Sequence, residues 1–451
     1  MGIQVSDLWR FDGKLDIRPF AILGALLLAS KMGIEQALAH LLFHYPWPLF
    51  AFVNPNTLFN NVQGGPPQDM VMVLSALSLP FGFTGMALTV RRLRSAGMPT
   101  WLSLLFFIPA VKLVLFVVLC IMPENATPAP KSAPPPLGKK MDFAYMLYAV
   151  LASILVTTVS VVLCTLILRD YGMFLFLGLP CVIGIVSSVI YSLPAHRTLG
   201  SCFLVSLTAV LVQGAALLFI NIEGAICLIM AAPLALVSCF AGSAIGYCIQ
   251  QTMHRPNLPP IIHVLCLVLP LAMGAETVVG VEAPLLKVQS SLIIHASNEK
   301  VWKNVVEFSE LPPPSDPIFR LGIAYPIRAV IDGRGVGAIR KCMFSTGPFV
   351  EPITVWDQPN LLKFSVTQNP APMEEWTPYG SVKPPHLDGF LRSDGGQFRL
   401  VSLPNGDTLL ERTTWYKHHM APAMYWQIWS DAIIHRIHMR VLSHIKTLSE
   451  K

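Results

Sequence analysis

The chain has 451 residues, of which 53% are hydrophobic and only 13% charged, with a formal net charge of +6. A soluble protein carries about a quarter charged residues, so this composition excludes a chain that lives wholly in water. Residues 281–451 hold 18 Lys and Arg against 16 Asp and Glu, which argues against a nucleic-acid partner, because such partners demand a concentrated basic face.

A spanning helix needs about 20 apolar residues. Runs of that kind fall at 19–43, 70–90, 101–122, 143–168, 172–193, 201–220, 223–249 and 260–278. Only Asn221, Ile222 and Glu223 separate the sixth from the seventh. That pair is a tight hairpin or a re-entrant pair, so the expectation is about eight spans, or seven. The first run is not a cleavable signal peptide: it follows a charged amphipathic start, contains Lys31 and Glu35 and lacks a small-residue cleavage site. Residues 123–140 are rich in Pro and Ala and read as a semi-rigid linker. The expected organisation is a three-span module at 1–122, a linker at 123–142, a five-span module at 143–280 and a soluble domain at 281–451.

Arg10, Lys14 and Arg18 precede the first run, and Arg91, Arg92 and Arg94 follow the second. The positive-inside rule puts both groups in the cytoplasm. The soluble domain is then cytoplasmic with eight spans and external with seven; the cytoplasmic side is expected. Lys31 and Glu35 are four apart and can pair on one helix face. Lys112 and Gln213 lie inside other runs, with Glu223 and Glu276 near run ends. Eight of the nine cysteines lie in or beside apolar runs, where they read as small hydrophobes.

Trp9-Arg10-Phe11-Asp12-Gly13-Lys14 leads through Arg18 into the first run. Later, Arg91-Arg92-Leu93-Arg94 and Gly97 precede Trp101. This pattern over about 9–122 resembles the bacterial inner-membrane family of domain of unknown function 805. Lys14 stands where that family usually has Arg, and Arg94 where it often has His. The resemblance implies a multi-pass inner-membrane location and membrane lipids as partners, with no known chemistry. Physically, the paired arginines read as headgroup anchors and Trp101 as an interfacial residue.

Past residue 280 no run is long enough to span. The pattern predicts a strand at 286–296, then a helix at 299–308 capped by Asn298, with Val301, Trp302, Val305 and Val306 as its apolar stripe. Strands follow at about 325–332, 336–346, 350–357 and 361–368. After a Pro-rich insertion at 369–388 come strands at 389–393, 396–403 and 407–418, with Asn405-Gly406 as a type I′-like turn. A helix over 421–449 closes the chain. The layout is α+β, and over about 284–449 it resembles the helix-grip superfamily of START lipid-transfer domains and polyketide cyclases. The whole is therefore expected to be a polytopic α-helical membrane protein fused to a helix-grip, START-like domain.

Such a fold implies a hydrophobic cavity. The candidate lining is Trp302, Arg320, Tyr325, Arg328, Phe344, Trp356, Tyr416, His418, Trp426 and Trp429. A buried arginine would need an anionic partner, such as a carboxylate or phosphate. On the closing helix Asp431 and His438 fall at the edge of the apolar face and His435 further into the polar side. Asp431 and His435, at i and i+4, could orient a general base or share a metal with His438; a stabilising Asp–His pair on a polar border is the plainer reading. No HExxH, CxxC or Walker motif occurs, and Gly333–Gly337 lacks the helix that phosphate binding requires. Neither a cofactor nor a resident metal is expected. The favoured function is a membrane-anchored binder or carrier of a hydrophobic small molecule. A transporter or signalling protein, and a cyclase or hydrolase using Asp431 and His438, stay open. Oligomeric state is not readable.

Overall fold

The computed structural model describes residues 8–47, 66–108, 110–124, 139–162, 165, 168, 171–252, 268, 271–276, 283–384, 387 and 389–451. The chain divides into two compact units. The first takes in Pro66–Leu217 and Ala231–Val281 together with the N-terminal helix; the second takes in Leu218–Met230 and Glu282–Lys451.

The first unit is helical: α1 Ile17–Phe43, α2 Gln68–Ser95, a 3-10 segment Thr100–Phe107, α3 Val111–Ile121, α4 Lys139–Val162, a single π turn Phe174–Gly178 running into α5 Leu179–Tyr191, α6 Leu199–Phe219 and α7 Ala225–Thr252. Six helices among the described residues are long and apolar enough to cross a membrane, against the eight expected. The third run is broken. Ala110 takes a positive φ of 60°, and neither flanking piece is a spanning length. Most of the eighth run and the linker lie outside the described residues.

The polar residues in this unit are engaged. Lys31 Nζ meets Glu35 Oε1 at 2.5 Å as expected, and Ser78 donates to the same oxygen at 3.3 Å. Thr158 donates to Gln213 Oε1. Glu276 accepts the backbone N–H of Met173 at 2.6 Å and of Phe174 at 3.2 Å. Arg92 departs from the headgroup expectation. It is fully buried, with Nε donating to Leu119 O at 2.9 Å and Nη2 to Met122 O. It satisfies carbonyls at the C-terminal end of α3, where helix termini favour cations.

The second unit contains β1 Leu286–Ile294, α8 Asn298–Val306, α9 Pro317–Arg320, β2 Pro326–Asp332, β3 Ile339–Phe344, β4 Gly347–Asp357, β5 Leu361–Ser365, β6 Glu375–Thr377, β7 Gly380–Val382, β8 Leu391–Ser402, β9 Thr408–His418 and α10 Ala423–Ser449. Seven strands form one sheet in the order β1-β9-β8-β5-β4-β3-β2, with β6 and β7 as a separate hairpin. Every pairing is antiparallel, and the first strand closes on the last, Leu286 opposite Tyr416. Register shifts at Pro326/Arg328, Ile353/Val355 and Ser393/Gly395 bend the strands, as bulges do. The sheet thereby curls about α10, which is the helix-grip arrangement.

Alternation builds the core. β3 buries Arg340, Cys342 and Phe344 and exposes Ile339 and Lys341, as the period of two requires. On α10, Val441, Leu442 and Ile445 are fully buried, each worth about 1.5–3 kcal/mol relative to exposure. They pack with Val301, Trp302 and Val305 of α8. Two local details differ from expectation. Ser297 occupies the N-cap of α8, and Asn298 instead accepts a hydrogen bond from Thr408 Oγ1 at 2.8 Å. The β8–β9 turn has Gly406 N–H donating to Leu403 O at 3.0 Å and only Gly406 at positive φ, +86°. That is a three-residue loop ending in a left-handed glycine, because a type I′ turn needs positive φ at both central residues. The expected strands at 389–393 and 396–403 are one bulged strand, β8.

Candidate functional site

Between the sheet and α10 lies a cavity of about 90 Å³. Its apolar wall comes from Phe344, Phe349 and Phe364 on the sheet and from Ile433, Ile434 and Ile437 on α10. Glycine makes room for one of these rings: a Cβ at Gly396 would stand 2.7 Å from Phe364 Cζ. The polar part of the lining is Glu351, Asn369, Ser393, Arg412, Thr414 and His438. A second hollow of about 50 Å³ is lined by His418, Met420, Trp426, Trp429 and Ser430, together with Cys227 and Met230. Both hollows share Pro372, Leu391 and Ile433.

Two arginines point into this interior. Arg340 is fully buried; its Nη1 donates to Glu351 Oε2 and its Nε to Val306 O at 3.1 Å. Its guanidinium lies 5.6 Å from the Phe398 ring and 5.5 Å from that of Phe308. Arg412 is 6% exposed. Its guanidinium also lies near the Phe398 ring, at 5.1 Å, while Nε and Nη1 are buried with no hydrogen-bond partner among the described residues. Burial holds this guanidinium below its ordinary pKa, with Arg340 pushing the same way and Glu351 opposing.

The histidines behave differently from the pairing expected of them. His438 is fully buried, with Nδ1 3.1 Å from Ser290 Oγ and Nε2 2.7 Å from Thr414 Oγ1. Burial, and then the charge of Arg412, keep it well below the usual imidazole range, so it is neutral at pH 7. His435 meets Ser290 Oγ at 2.8 Å, not Asp431. The Asp431 carboxylate accepts from Tyr416 Oη at 2.5 Å and from Gln427 Nε2 at 3.3 Å. The Asp431–His435 pair does not form because β9 and β1 supply nearer partners. His418 is buried with both ring nitrogens unpartnered among the described residues, and burial lowers its pKa to about 4. Among the described residues no group of three or more His, Cys, Asp or Glu is placed to hold a metal ion.

Of the lining candidates, Phe344 faces the larger cavity and His418, Trp426 and Trp429 the smaller. Trp302 and Trp356 pack edge to face, centroids 5.6 Å apart, within the core. Tyr416 is buried against Ser430 and Asp431, and Tyr325 stacks near Phe319 and under Arg440. Arg320 and Arg328 are exposed to solvent; the arginine that lines the cavity is instead Arg412, and the other buried arginine of the sheet, Arg340, donates to Glu351 of that lining. Strand parity carried the signal for both. Arg340 alternates with Phe344, and Arg412 with Tyr416 and His418, all on one face of their strands.

One further buried carboxylate lies in the second unit. Glu375, at the start of the β6–β7 hairpin, is fully buried and accepts the N–H of Ile226 at 2.9 Å and of Cys227 at 2.7 Å. It caps the first turn of α7, which up to Met230 belongs to this same unit and where an acceptor and a negative charge are both favoured.

Fold and site together define a class: a membrane protein whose C-terminal part is a helix-grip domain enclosing a small cavity. Residues 9–130 match the family model described as Protein of unknown function (DUF805), the family that the motifs around Arg10 and Arg91 resemble. No curated protein matches the chain. Solved structures similar to the C-terminal part include a norcoclaurine synthase point mutant from Thalictrum flavum, in complex with a transition-state analogue. It is 15% identical, covering 38% of this chain and 97% of that one, with a TM-score of 0.26. The Zhui aromatase/cyclase from a Streptomyces species is 12% identical, covering 37% and 94%, with a TM-score of 0.24. A protein from Bacillus cereus is 14% identical, covering 36% and 93%, with a TM-score of 0.24. The helix-grip assignment rests on the strand order and the closing helix themselves.

Proposed function

We propose that this protein binds a small hydrophobic molecule in the grip of its C-terminal domain, and that its apolar helices keep that domain at a bilayer. The observation that carries the reading is the cavity bounded by three phenylalanines and three isoleucines between the sheet and α10. Its volume sets the class of occupant. A cavity of about 150 Å³ holds benzene, so about 90 Å³ falls short of an aromatic ring and suits a short chain. A whole lipid would need the second hollow as well and a shift of α10. Enzymatic use of Asp431 and His438 is the weaker reading, because Tyr416 and Gln427 hold the carboxylate and Ser290 and Thr414 hold the imidazole.

Propan-1-ol, a small neutral short-chain probe, tests this reading. Titrated against full-length protein in lipid nanodiscs with labelled isoleucine methyls, it is expected to move Ile433, Ile434 and Ile437 selectively. Ile437→Trp fills the space and should abolish the response. If wild-type methyls stay still at saturating propan-1-ol, the binding reading is wrong. The same reading places the domain on the cytoplasmic face of a bacterial inner membrane, and a topology reporter fused after Lys451 should report that side.

A further inference from the structure

The cavity has an unbalanced charge. Glu351 is the one carboxylate among the described residues of its lining; Arg412 lines it too, and Arg340, in the core, bonds to that same carboxylate. Arg340 takes that carboxylate, and its guanidinium lies among the rings of Phe308, Phe364 and Phe398. Arg412 is left with two buried nitrogens that donate to nothing among the described residues. Among the described residues the remaining polar wall offers no second anion: Thr414 and Ser393 are hydroxyls, Asn369 is an amide, and Asn369 is already bonded to the Ser393 backbone in both directions. His438 is neutral. A buried cation without a counter-charge is costly, and such a group facing a cavity is a receptor for an anion.

We infer that the occupant of the grip cavity is a small organic acid, its apolar body among Phe344, Phe364 and Ile437 and its carboxylate against Arg412. The inference rests on the binding reading above and adds the chemical class of ligand. Arg412 enters the cavity from the middle of β9, held in place by Phe398 beneath its guanidinium. Thr414, two residues on along the same face, stands beside it in the lining. His438 holds that hydroxyl at 2.7 Å, so the threonine is oriented for a second contact with the anion.

Butyrate and butyramide, matched in shape and differing in charge, test this. Both are titrated against the full-length protein in nanodiscs, with the isoleucine methyls as readout. Butyrate is expected to bind at least about tenfold tighter, the gain of a charge-assisted hydrogen bond. Arg412→Met should erase that preference by weakening butyrate more than butyramide, and Arg412→Lys should keep part of it. Melting temperatures of both variants separate lost recognition from lost folding. Equal binding of the two probes to wild type, with propan-1-ol still bound, overturns the acid proposal and spares the cavity. Silence from propan-1-ol and from both probes overturns both. Inorganic phosphate displacing butyrate at equal concentration overturns the organic class in favour of a free inorganic anion.

Discussion

Arg412 should be a stability defect in the empty protein, and its replacement by Met should stabilise the C-terminal unit. Leaving a buried donor unsatisfied costs about 1–3 kcal/mol, more when it is charged, and Nε and Nη1 are both in that condition. Met keeps most of the stem volume. Against the gain stands the contact of the guanidinium with Phe398 at 5.1 Å, worth about 0.5–2 kcal/mol. Removing the charge also relieves repulsion with Arg340 and forfeits attraction to Glu351, which offset each other in direction. The net expectation is a gain of about 1–3 kcal/mol, hence a rise in melting temperature of roughly 2–10 °C for a domain of this size. Near-ultraviolet circular dichroism of the full chain reads it, since Trp302 and Trp356 form a rigid edge-to-face pair in this core. A fall in melting temperature would mean that the guanidinium is already satisfied within the protein, and the charge argument would fail. A saturating anionic occupant should reverse the ranking, because ligand at a hundred times its Kd stabilises wild type by about 2.7 kcal/mol.

Glu351→Gln should act in the opposite sense, costing about 3–5 kcal/mol by stranding Arg340 in the core; a urea-unfolding free energy within about 1 kcal/mol of wild type would contradict it. His418, lowered by burial to about 4 against an ordinary 6.5, gives a pH dependence. The unfolded chain binds the extra proton first, so stability is whole above pH 6.5 and declines as the pH falls towards 4. The loss is roughly 3 kcal/mol at most, and His438 acts in the same direction. His418→Phe should flatten part of this slope in melts at pH 7 and pH 4.5, and an unchanged slope would refute the assignment. Glu375→Ala should leave the first amides of α7 without acceptors, a loss of about 1–3 kcal/mol of local protection. Hydrogen exchange at Ile226 and Cys227 should speed at least about tenfold, and no change would count against the cap.

The helix-grip layout was legible because periodicity is a one-dimensional signal. Alternation placed β3, β4 and β9, and the apolar stripe placed α8 and α10, with ends within a few residues. The span count was less legible. Hydropathy counts apolar residues and does not see that the third run changes helix type between Phe107 and Val111. The cavity was the hardest part. Aromatic type does not tell a lining residue from a core residue, so Trp302 and Trp356 look the same in sequence as Phe344 and Trp426. The arginines show the reverse. Arg320 and Arg328 stood out beside turns and in an edge strand, yet burial is decided by which face of a strand points inward. That parity, applied along 408–418, singles out Arg412. Arg92 escaped notice for a related reason: a basic cluster at a helix end reads as solvated until a neighbouring helix terminus is known to need its donors.

Pro372, Leu391 and Ile433 form a partition one side chain thick between the two hollows of the grip. Shortening Leu391 by three carbons would knock two rooms into one without touching the arginine end. Guest length and guest charge are thus governed by separate positions, and a lineage could lengthen its passenger by a single substitution while the anchoring group stayed as it was.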